Sequence, residues 1–285
     1  MNPQYTILPD APDDRARSFL LTDLVWNCFV LADLAPPYDV HARLPVALGP
    51  EGEIAAACLI YDCPGDRSMV PFGHPGAIRS ILESVDLPDQ TFLIGRDIDW
   101  NVLNEFFEPL GAFRSMSRMA LTSDSFVPAA KAPGYTATLL RPDEYGEVDA
   151  LYQLEVGLDW KTGLFPQATF VGARDEDEAL CAVAAATAIN LVDNIGTIGG
   201  VFTRPELRGR GLGRAVTSLA CEQWFASGRD CVFLNVNVEN HAARRTYKAL
   251  GFTERLTYRG LPARLRIDGQ SSDAPGCQSP SSPLW

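Results

Sequence analysis

A glycine-rich segment, Arg208–Gly213, places strong limits on how this chain can fold. Its three glycines alternate with other residues, so several backbone N–H groups can point inward on an anion without side chains in the way. The apolar segment before it predicts a strand over Gly196–Thr203, and the apolar spacing after it predicts a helix over Gly211–Ala226. A helix that starts directly after the loop adds its own free N–H groups, so the segment predicts a phosphate-binding turn.

A second motif follows at a fixed distance and comprises Asn240, Ala243 and Tyr247, closed by Gly251-Phe252. Two common glycine-loop motifs fail on spacing. A dinucleotide fingerprint needs a glycine where Arg214 stands, and a Walker loop needs Gly-Lys-Ser/Thr where the chain has Gly-Arg-Ala.

The two motifs together resemble the Gcn5-related N-acetyltransferases (GNAT), which have a mixed α/β fold. In that family a loop Arg/Gln-x-x-Gly-x-Gly/Ala binds coenzyme A, and a later helix carries Asn-x-x-Ala-x-x-x-Tyr. The resemblance extends from Tyr135 to about Ile267 and is best over Ile198–Phe252. It implies an acyltransferase that moves an acetyl group from acetyl-CoA to a primary amine of a small molecule or an amino terminus.

The resemblance also implies roles for individual residues. Tyr247 is expected to act as general acid toward the leaving sulfur, and the Asn240 amide to hold the pantetheine arm or an ordered water. The strand ending at Thr203 is expected to splay from its neighbour and to offer backbone groups to the coenzyme. The expected coenzyme contacts are Val201, Phe202, Thr203, Arg208, Gly209, Arg210, Gly211, Leu212, Gly213, Arg214, Asn240 and Ala243.

The general base stays open at the level of sequence. Many family members carry a glutamate on the strand before the loop, but Gly196–Gly200 offers no carboxylate. Asp193, Glu155, Asp159 and a water chain to solvent are the alternatives. Because no base is evident, a non-catalytic acyl-CoA-binding or sensing module remains the alternative function.

Breaker residues and composition shifts divide the chain. We expect a first domain over residues 1–128, a linker over 129–134, a catalytic domain over 135–267 and a disordered tail over 268–285. Periodicity in the catalytic domain predicts a helix after Pro142 to about Leu158. It also predicts a strand over Cys231–Val236 and a helix over Asn240–Leu250.

The first half is similar to the second when 140 is added to each residue number. Gly73 then falls on Gly213, Leu93 on Phe233 and Phe107 on Tyr247. This predicts two tandem copies of one fold. The first copy is expected to be degenerate, because Ser68–Gly73 holds a proline and no arginine where the second copy has its loop.

Composition limits the remaining possibilities. The formal net charge of -12 disfavours non-specific binding to nucleic acid. No apolar run approaches membrane-spanning length, and the acidic N-terminus does not resemble a signal peptide, so a cytoplasmic protein with no membrane partner is expected. The cysteines and histidines are too dispersed to predict a metal site. Monomer and homodimer both remain open.

Overall fold

The computed structural model describes residues 5–155, 161–190 and 192–266. Within them the chain forms two compact units. The first runs from residue 5 to Met116 and takes in the segment from Thr257 to residue 266, and the second comprises Ser117–Leu256. The expected tail and Asp159 lie outside the described residues.

The first unit combines a mostly antiparallel sheet with four helices. Its elements in chain order are β1 (Thr6–Leu8), α1 (Asp14–Leu21), α2 (Leu24–Asp33), β2 (Ala42–Arg43), β3 (Val46–Leu48), β4 (Ile54–Cys63), β5 (Asp66–Gly73), α3 (Pro75–Ser84), β6 (Gln90–Gly95), α4 (Trp100–Phe106) and β7 (Phe107–Pro109). The next strand, β8 (Arg114–Thr122), passes into the second unit.

The second unit has the same kind of architecture. Its further elements are β9 (Thr136–Leu139), α5 (Tyr145–Tyr152), β10 (Thr169–Arg174), β11 (Leu180–Asn190), β12 (Ile195–Thr203), α6 (Leu212–Ala226), β13 (Cys231–Asn237), α7 (His241–Ala249) and the start of β14 (Thr253–Leu265). The predicted strands and helices of this half therefore form, although the helix after Pro142 ends at Tyr152, earlier than the predicted Leu158.

The strands of the two units follow one plan, which confirms the expected mixed α/β fold. In the first unit the order is β1-β3-β4-β5-β6-β14, with a parallel pair at β5 and β6. In the second it is β9-β10-β11-β12-β13-β8, with a parallel pair at β12 and β13. The last strand of each copy thus belongs to the other unit, since β8 from Ser117 lies in the second and β14 from Thr257 in the first.

The repeat is not gapless, contrary to the prediction from a constant shift of 140. In the first copy 24 residues separate Met69 from its partner Leu93, whereas in the second 36 residues separate Gly196 from its partner Val232. The second copy is longer by twelve residues between these strands, mainly because eight residues precede α6 where the first copy has only His74 before α3, and because α6 is five residues longer than α3. Gly73 accordingly ends strand β5 and does not correspond to Gly213 in the first turn of α6.

The shift of 140 is also wrong by one residue after the loop. Asp99 and Asn240 are the N-caps of α4 and α7 and stand 141 apart. Phe106, seven residues after Asp99, is therefore the counterpart of Tyr247, and Phe107 lies beyond the helix in β7. The two copies are therefore related by a shift of 141 residues in this region. In a strand, even a one-residue error in such a shift moves every side chain to the opposite face of the sheet.

The expected linker packs against the second unit. The Ala129 N–H donates to Ser218 Oγ on α6 at 2.9 Å, and Ala132 is buried in the core beneath that helix. The boundary between the compact units falls earlier, after Met116.

Helix α6 is held on the sheet of the second unit by an apolar stripe. Leu212, Val216, Ala220 and Trp224 are all buried. A Cβ on Gly196 would lie 2.5 Å from the Trp224 ring, so glycine permits this close approach of helix and strand. The packing places the start of α6 next to the end of β12.

None of the helices in the described residues is long and apolar enough to cross a bilayer.

Candidate active site

A β-bulge interrupts strand β12 in the second unit. Ala185 pairs with Gly199 and Val183 with Phe202, so β12 has one residue more than β11 between these pairs. The extra residue is accommodated at Gly200, whose φ of 57° favours glycine. A bulge of this kind bends its strand and changes the direction of the backbone groups that follow it.

Tyr152 on α5 supports the bulge. Its hydroxyl donates a hydrogen bond to the Gly200 carbonyl oxygen at 2.7 Å, and its ring lies edge-on to Phe202 at 5.9 Å. Burial raises the pKa of this phenol, so the hydroxyl stays protonated and acts as a donor. The sequence analysis assigned no role to Tyr152 or Gly200, although the Gly199-Gly200 pair inside a strand is a signal for a bulge.

The parallel strands β12 and β13 pair over a short distance and then separate. Their paired positions are Gly196 with Val232 and Thr197 with Phe233. Beyond these, Val201–Thr203 has a neighbour strand on the β11 side, where Phe202 and Thr203 are paired. The opposite edge of β12 therefore offers backbone donors and acceptors to a ligand, which is the splay that the family resemblance implied.

The glycine loop leads from this gap into α6. Gly209 and Gly211 have φ values of 80° and 83°, in the left-handed region that favours glycine. Gly211 is the N-cap of α6 and supplies no side-chain acceptor, whereas Asp13, Asp23, His74 and Asn240 cap their helices with side-chain atoms. The first turn of α6 also lacks an acidic residue. Its free N–H groups and positive dipole end are thus available to an anion.

Four arginines surround the loop, and three of them donate to neutral oxygen atoms, with Arg204 also 4.0 Å from Glu206 Oε1. Arg204 Nε donates to the Leu180 carbonyl at 2.7 Å, Arg210 Nη1 to the Tyr135 hydroxyl at 3.3 Å, and Arg214 Nη2 to the Ala249 carbonyl at 3.3 Å. The buried Nε of Arg214 has no hydrogen-bond partner among the described residues.

Arg208 makes a different set of contacts. Its Nε donates to the Thr203 carbonyl at 3.3 Å, its guanidinium lies 5.6 Å from the centre of the Phe202 ring, and Nη2 forms an ion pair with Glu155. Positive charge therefore collects beside an uncapped helix start, an arrangement that suits phosphate groups.

Asn240 has a structural role in the second motif. Its Oδ1 accepts the N–H of Ala243 at 3.1 Å, which caps α7. The amide oxygen is therefore engaged within the helix, and Nδ2 is the atom that remains for a ligand.

Tyr247 lies in the core of the second unit, where its ring packs edge-on against Phe252 at 5.8 Å. Burial, followed by the nearby Cys221 thiol, raises the pKa of the phenol above its usual value. Its hydroxyl is consequently neutral at physiological pH and carries a proton that it can donate.

The described base candidates are placed differently. Glu155 pairs with Arg208 at the loop. Asp193 accepts a hydrogen bond from Asn190 Nδ2 at 2.8 Å in the turn before β12, at the opposite end of that strand from the loop. The described residues contain no group of three or more His, Cys, Asp or Glu side chains arranged to hold a metal ion.

Comparisons with known proteins agree with this geometry. Residues 136–252 match the acetyltransferase (GNAT) family. An uncharacterised N-acetyltransferase of Methanocaldococcus jannaschii is 43% identical over 60 residues, which are 21% of this chain and 26% of that protein. The match thus spans about a quarter of the curated relative.

Solved structures extend the likeness to both units. A Gcn5-related N-acetyltransferase from Kribbella flavida is similar with a TM-score of 0.57 at 19% identity, covering 84% of this chain and 98% of the other. A tandem GNAT protein from the clavulanic acid biosynthesis pathway has a TM-score of 0.59 at 16% identity, covering 94% and 100%. At these identities the likeness concerns the fold.

The strand order and the separation of β12 from β13 define a mixed α/β protein, whose fold is similar to that of the GNAT structures named above. The match to the acetyltransferase (GNAT) family covers residues 136–252, which lie in the second unit.

Proposed function

We propose that this protein is an N-acetyltransferase that moves an acetyl group from acetyl-CoA to a primary amine of a small molecule or an amino terminus. The observation that carries the proposal is the gap between β12 and β13, which opens next to the uncapped start of α6. This arrangement offers a strand edge for an amide-rich arm and a positive helix end for a pyrophosphate.

In this proposal the loop residues hold the phosphates of the coenzyme. Leu212, Gly213 and Arg214 supply backbone N–H groups, while Arg208 and Arg210 supply positive charge. The free edge of Val201–Thr203 binds the pantetheine arm and orients the acetyl carbonyl. Acetyl-CoA supplies the activated acyl group, and the protein holds the acceptor amine within reach of it.

Tyr247 acts as general acid in the proposed reaction. Direct attack by a neutral amine releases a thiolate, which needs a proton or a hydrogen bond. The buried phenol retains its proton at neutral pH and can donate it to the sulfur. Because its raised pKa makes it a weak acid, stabilisation of the thiolate by a hydrogen bond is the larger part of its role.

The acceptor's proton leaves through water in this scheme. Neither described carboxylate is well placed as the base, since Glu155 is paired with Arg208 and Asp193 lies in a turn at the far end of β12. Asp159 is the remaining acidic candidate and lies outside the described residues.

A non-catalytic acyl-CoA-binding or sensing module is the second candidate. It is favoured by one specific observation, the lack of any carboxylate on β12 between Ile195 and Thr203. Such a module would keep the loop and the strand gap but would need no acceptor site.

A screen of amine acceptors that follows thiol release from acetyl-CoA tests the proposal. We expect release that depends on one class of primary amine and is absent with the matching tertiary amines. Tight coenzyme binding without release on any amine would support the sensing module. Failure to bind acetyl-CoA would contradict both candidates.

A further inference from the structure

The hairpin of β4 and β5 in the first unit carries a group of polar side chains on one face. Tyr61 lies opposite Ser68 and Cys63 opposite Asp66 in the register of the two strands. Cross-strand partners point to the same face, and alternate residues of a strand do too. These four side chains are therefore immediate neighbours, and none of them belongs to the coenzyme loop.

Two of these side chains are buried without hydrogen-bond partners. Asp66 is 6% exposed and Ser68 is 0% exposed, and neither Asp66 Oδ1 nor Ser68 Oγ has a partner among the described residues. No described lysine or arginine pairs with Asp66, although its neighbour Asp62 pairs with Arg67 at 2.6 Å. A buried carboxylate without partners is costly, because it loses hydration without compensation.

The surroundings of the hairpin face are electronegative. Burial raises the pKa of Tyr61, and the next causes are the nearby Asp33, Cys63, Asp66 and Tyr38. Burial likewise raises the pKa of Asp66 to about 7, so the group is partly ionised at neutral pH. The half-buried Cys63 marks the side of the group that faces solvent.

We propose that Asp66, Ser68 and Tyr61 form a binding site for a primary ammonium group in the first unit. An ammonium carries three N–H donors and one positive charge. Asp66 Oδ1 and Ser68 Oγ accept two of these donors, and the Tyr61 ring borders the cation and its carbon stem. A single carboxylate matches one unit of charge, which suits an amine better than a divalent metal ion.

The site is tested on the full chain with n-butylammonium chloride as the probe, by calorimetry at pH 8 and constant ionic strength. Asp66→Asn keeps the shape of the side chain and removes the charge, so we expect at least tenfold weaker binding. The matched control is Asp62→Asn on the exposed face of the same hairpin, which is expected to bind like the wild type. n-Butanol, which has no charge, is expected not to bind.

Two further measurements complete the test. The probe stays protonated at both pH 8 and pH 6, whereas Asp66 loses most of its charge at pH 6, so binding is expected to weaken about tenfold in the wild type. Ser68→Ala removes one acceptor and is expected to weaken binding severalfold. The proposal is overturned if the wild type does not bind n-butylammonium, or if Asp66→Asn and Ser68→Ala bind it as the wild type does. The latter result would assign the polar group to an internal water.

Discussion

Glu155 forms an ion pair with Arg208, so a carboxylate already occupies a guanidinium of the proposed coenzyme loop. The side chains are 48% and 52% exposed, which limits the contribution of the pair to stability to about 0.2–1 kcal/mol. An incoming phosphate must compete with this carboxylate for Arg208.

Glu155→Gln is therefore expected to raise coenzyme affinity a few-fold, since Arg208 is no longer shared. Turnover is expected to stay within about threefold of wild type, because the proposed scheme assigns proton removal to water and not to Glu155. Calorimetry and thiol release measure the two effects. Glu147→Gln, which removes a half-exposed carboxylate from its ion pair with the largely buried Arg174, is the control. A loss of turnover of two orders of magnitude or more would make Glu155 the base.

Gly211→Val is expected to abolish coenzyme binding. The φ of 83° is strained for a β-branched residue by about 1–3 kcal/mol, and the side chain would distort the start of α6. Gly228→Val is a matched control at a φ of 82°, with no atom within 4 Å of its added Cβ in either case. Both variants should lose similar stability in thermal unfolding, but binding should fail in the Gly211 variant alone. Equal affinities would show that the loop does not hold the phosphates.

Tyr247→Phe is expected to lower turnover about 10²-fold while coenzyme affinity stays almost unchanged. The substitution removes the proposed proton donor and retains the ring that packs against Phe252. Tyr145→Phe, whose hydroxyl bonds the Ala168 carbonyl, is the control for loss of a phenol. Steady-state kinetics with an identified acceptor measures the change in turnover. Turnover close to that of the wild type would show that Tyr247 serves in packing and not as the general acid.

One coenzyme is expected to bind per chain. In the first unit His74 Nδ1 accepts the Gly76 N–H at 3.2 Å, and Pro75 has no N–H. The His74 carbonyl accepts the N–H groups of Ala77 and Ile78, so the start of α3 has no free donors for a phosphate. Calorimetric stoichiometry measures this, and two coenzymes per chain would contradict it.

Asp66→Asn is expected to stabilise the protein at pH 8. Burial raises the pKa of Asp66 from 3.8 to about 7 in the folded state. The folded protein therefore holds a proton that the unfolded chain has lost, and stability falls as pH rises from about 4 to 7, then levels off. The wild type should lose on the order of 4 kcal/mol over that range, and the Asp66→Asn variant should not.

Urea unfolding at pH 4.5 and pH 8 measures this difference, with Asp62→Asn as the exposed control. If the Asp66→Asn variant gains no stability over the control at pH 8, the carboxyl of Asp66 is solvated in the folded protein.

Local signals in the sequence predicted most of the second unit. Glycines that alternate over Arg208–Gly213 mark a loop with positive φ values, and apolar spacing marks α6 after it. Strands β12 and β13 and helix α7 were predicted close to their observed bounds. These features depend on residues a few positions apart, so a linear pattern is enough to predict them.

The repeat shows where a linear pattern fails. A constant shift of 140 detected two copies but placed Phe107 on Tyr247 and Gly73 on Gly213. It allowed neither for the twelve extra residues between the paired strands of the second copy nor for a one-residue shift after them. Strand register depends on which face of the strand packs against the helices, and the packing of the whole core determines that face.

The sequence by itself determined the two tandem copies, the loop and the capped helix that carries Tyr247. Only the tertiary structure decided that Tyr152 holds the bulge at Gly200, that Glu155 meets Arg208, and that Asp66 is buried without a partner. Tyr152 and Gly200 lie about fifty residues apart in the chain, as do Glu155 and Arg208. Whether the carboxyl of Asp66 is buried depends on the residues that pack around it. Such contacts follow from packing, because hydrophobic burial brings distant segments together without regard to their order in the sequence.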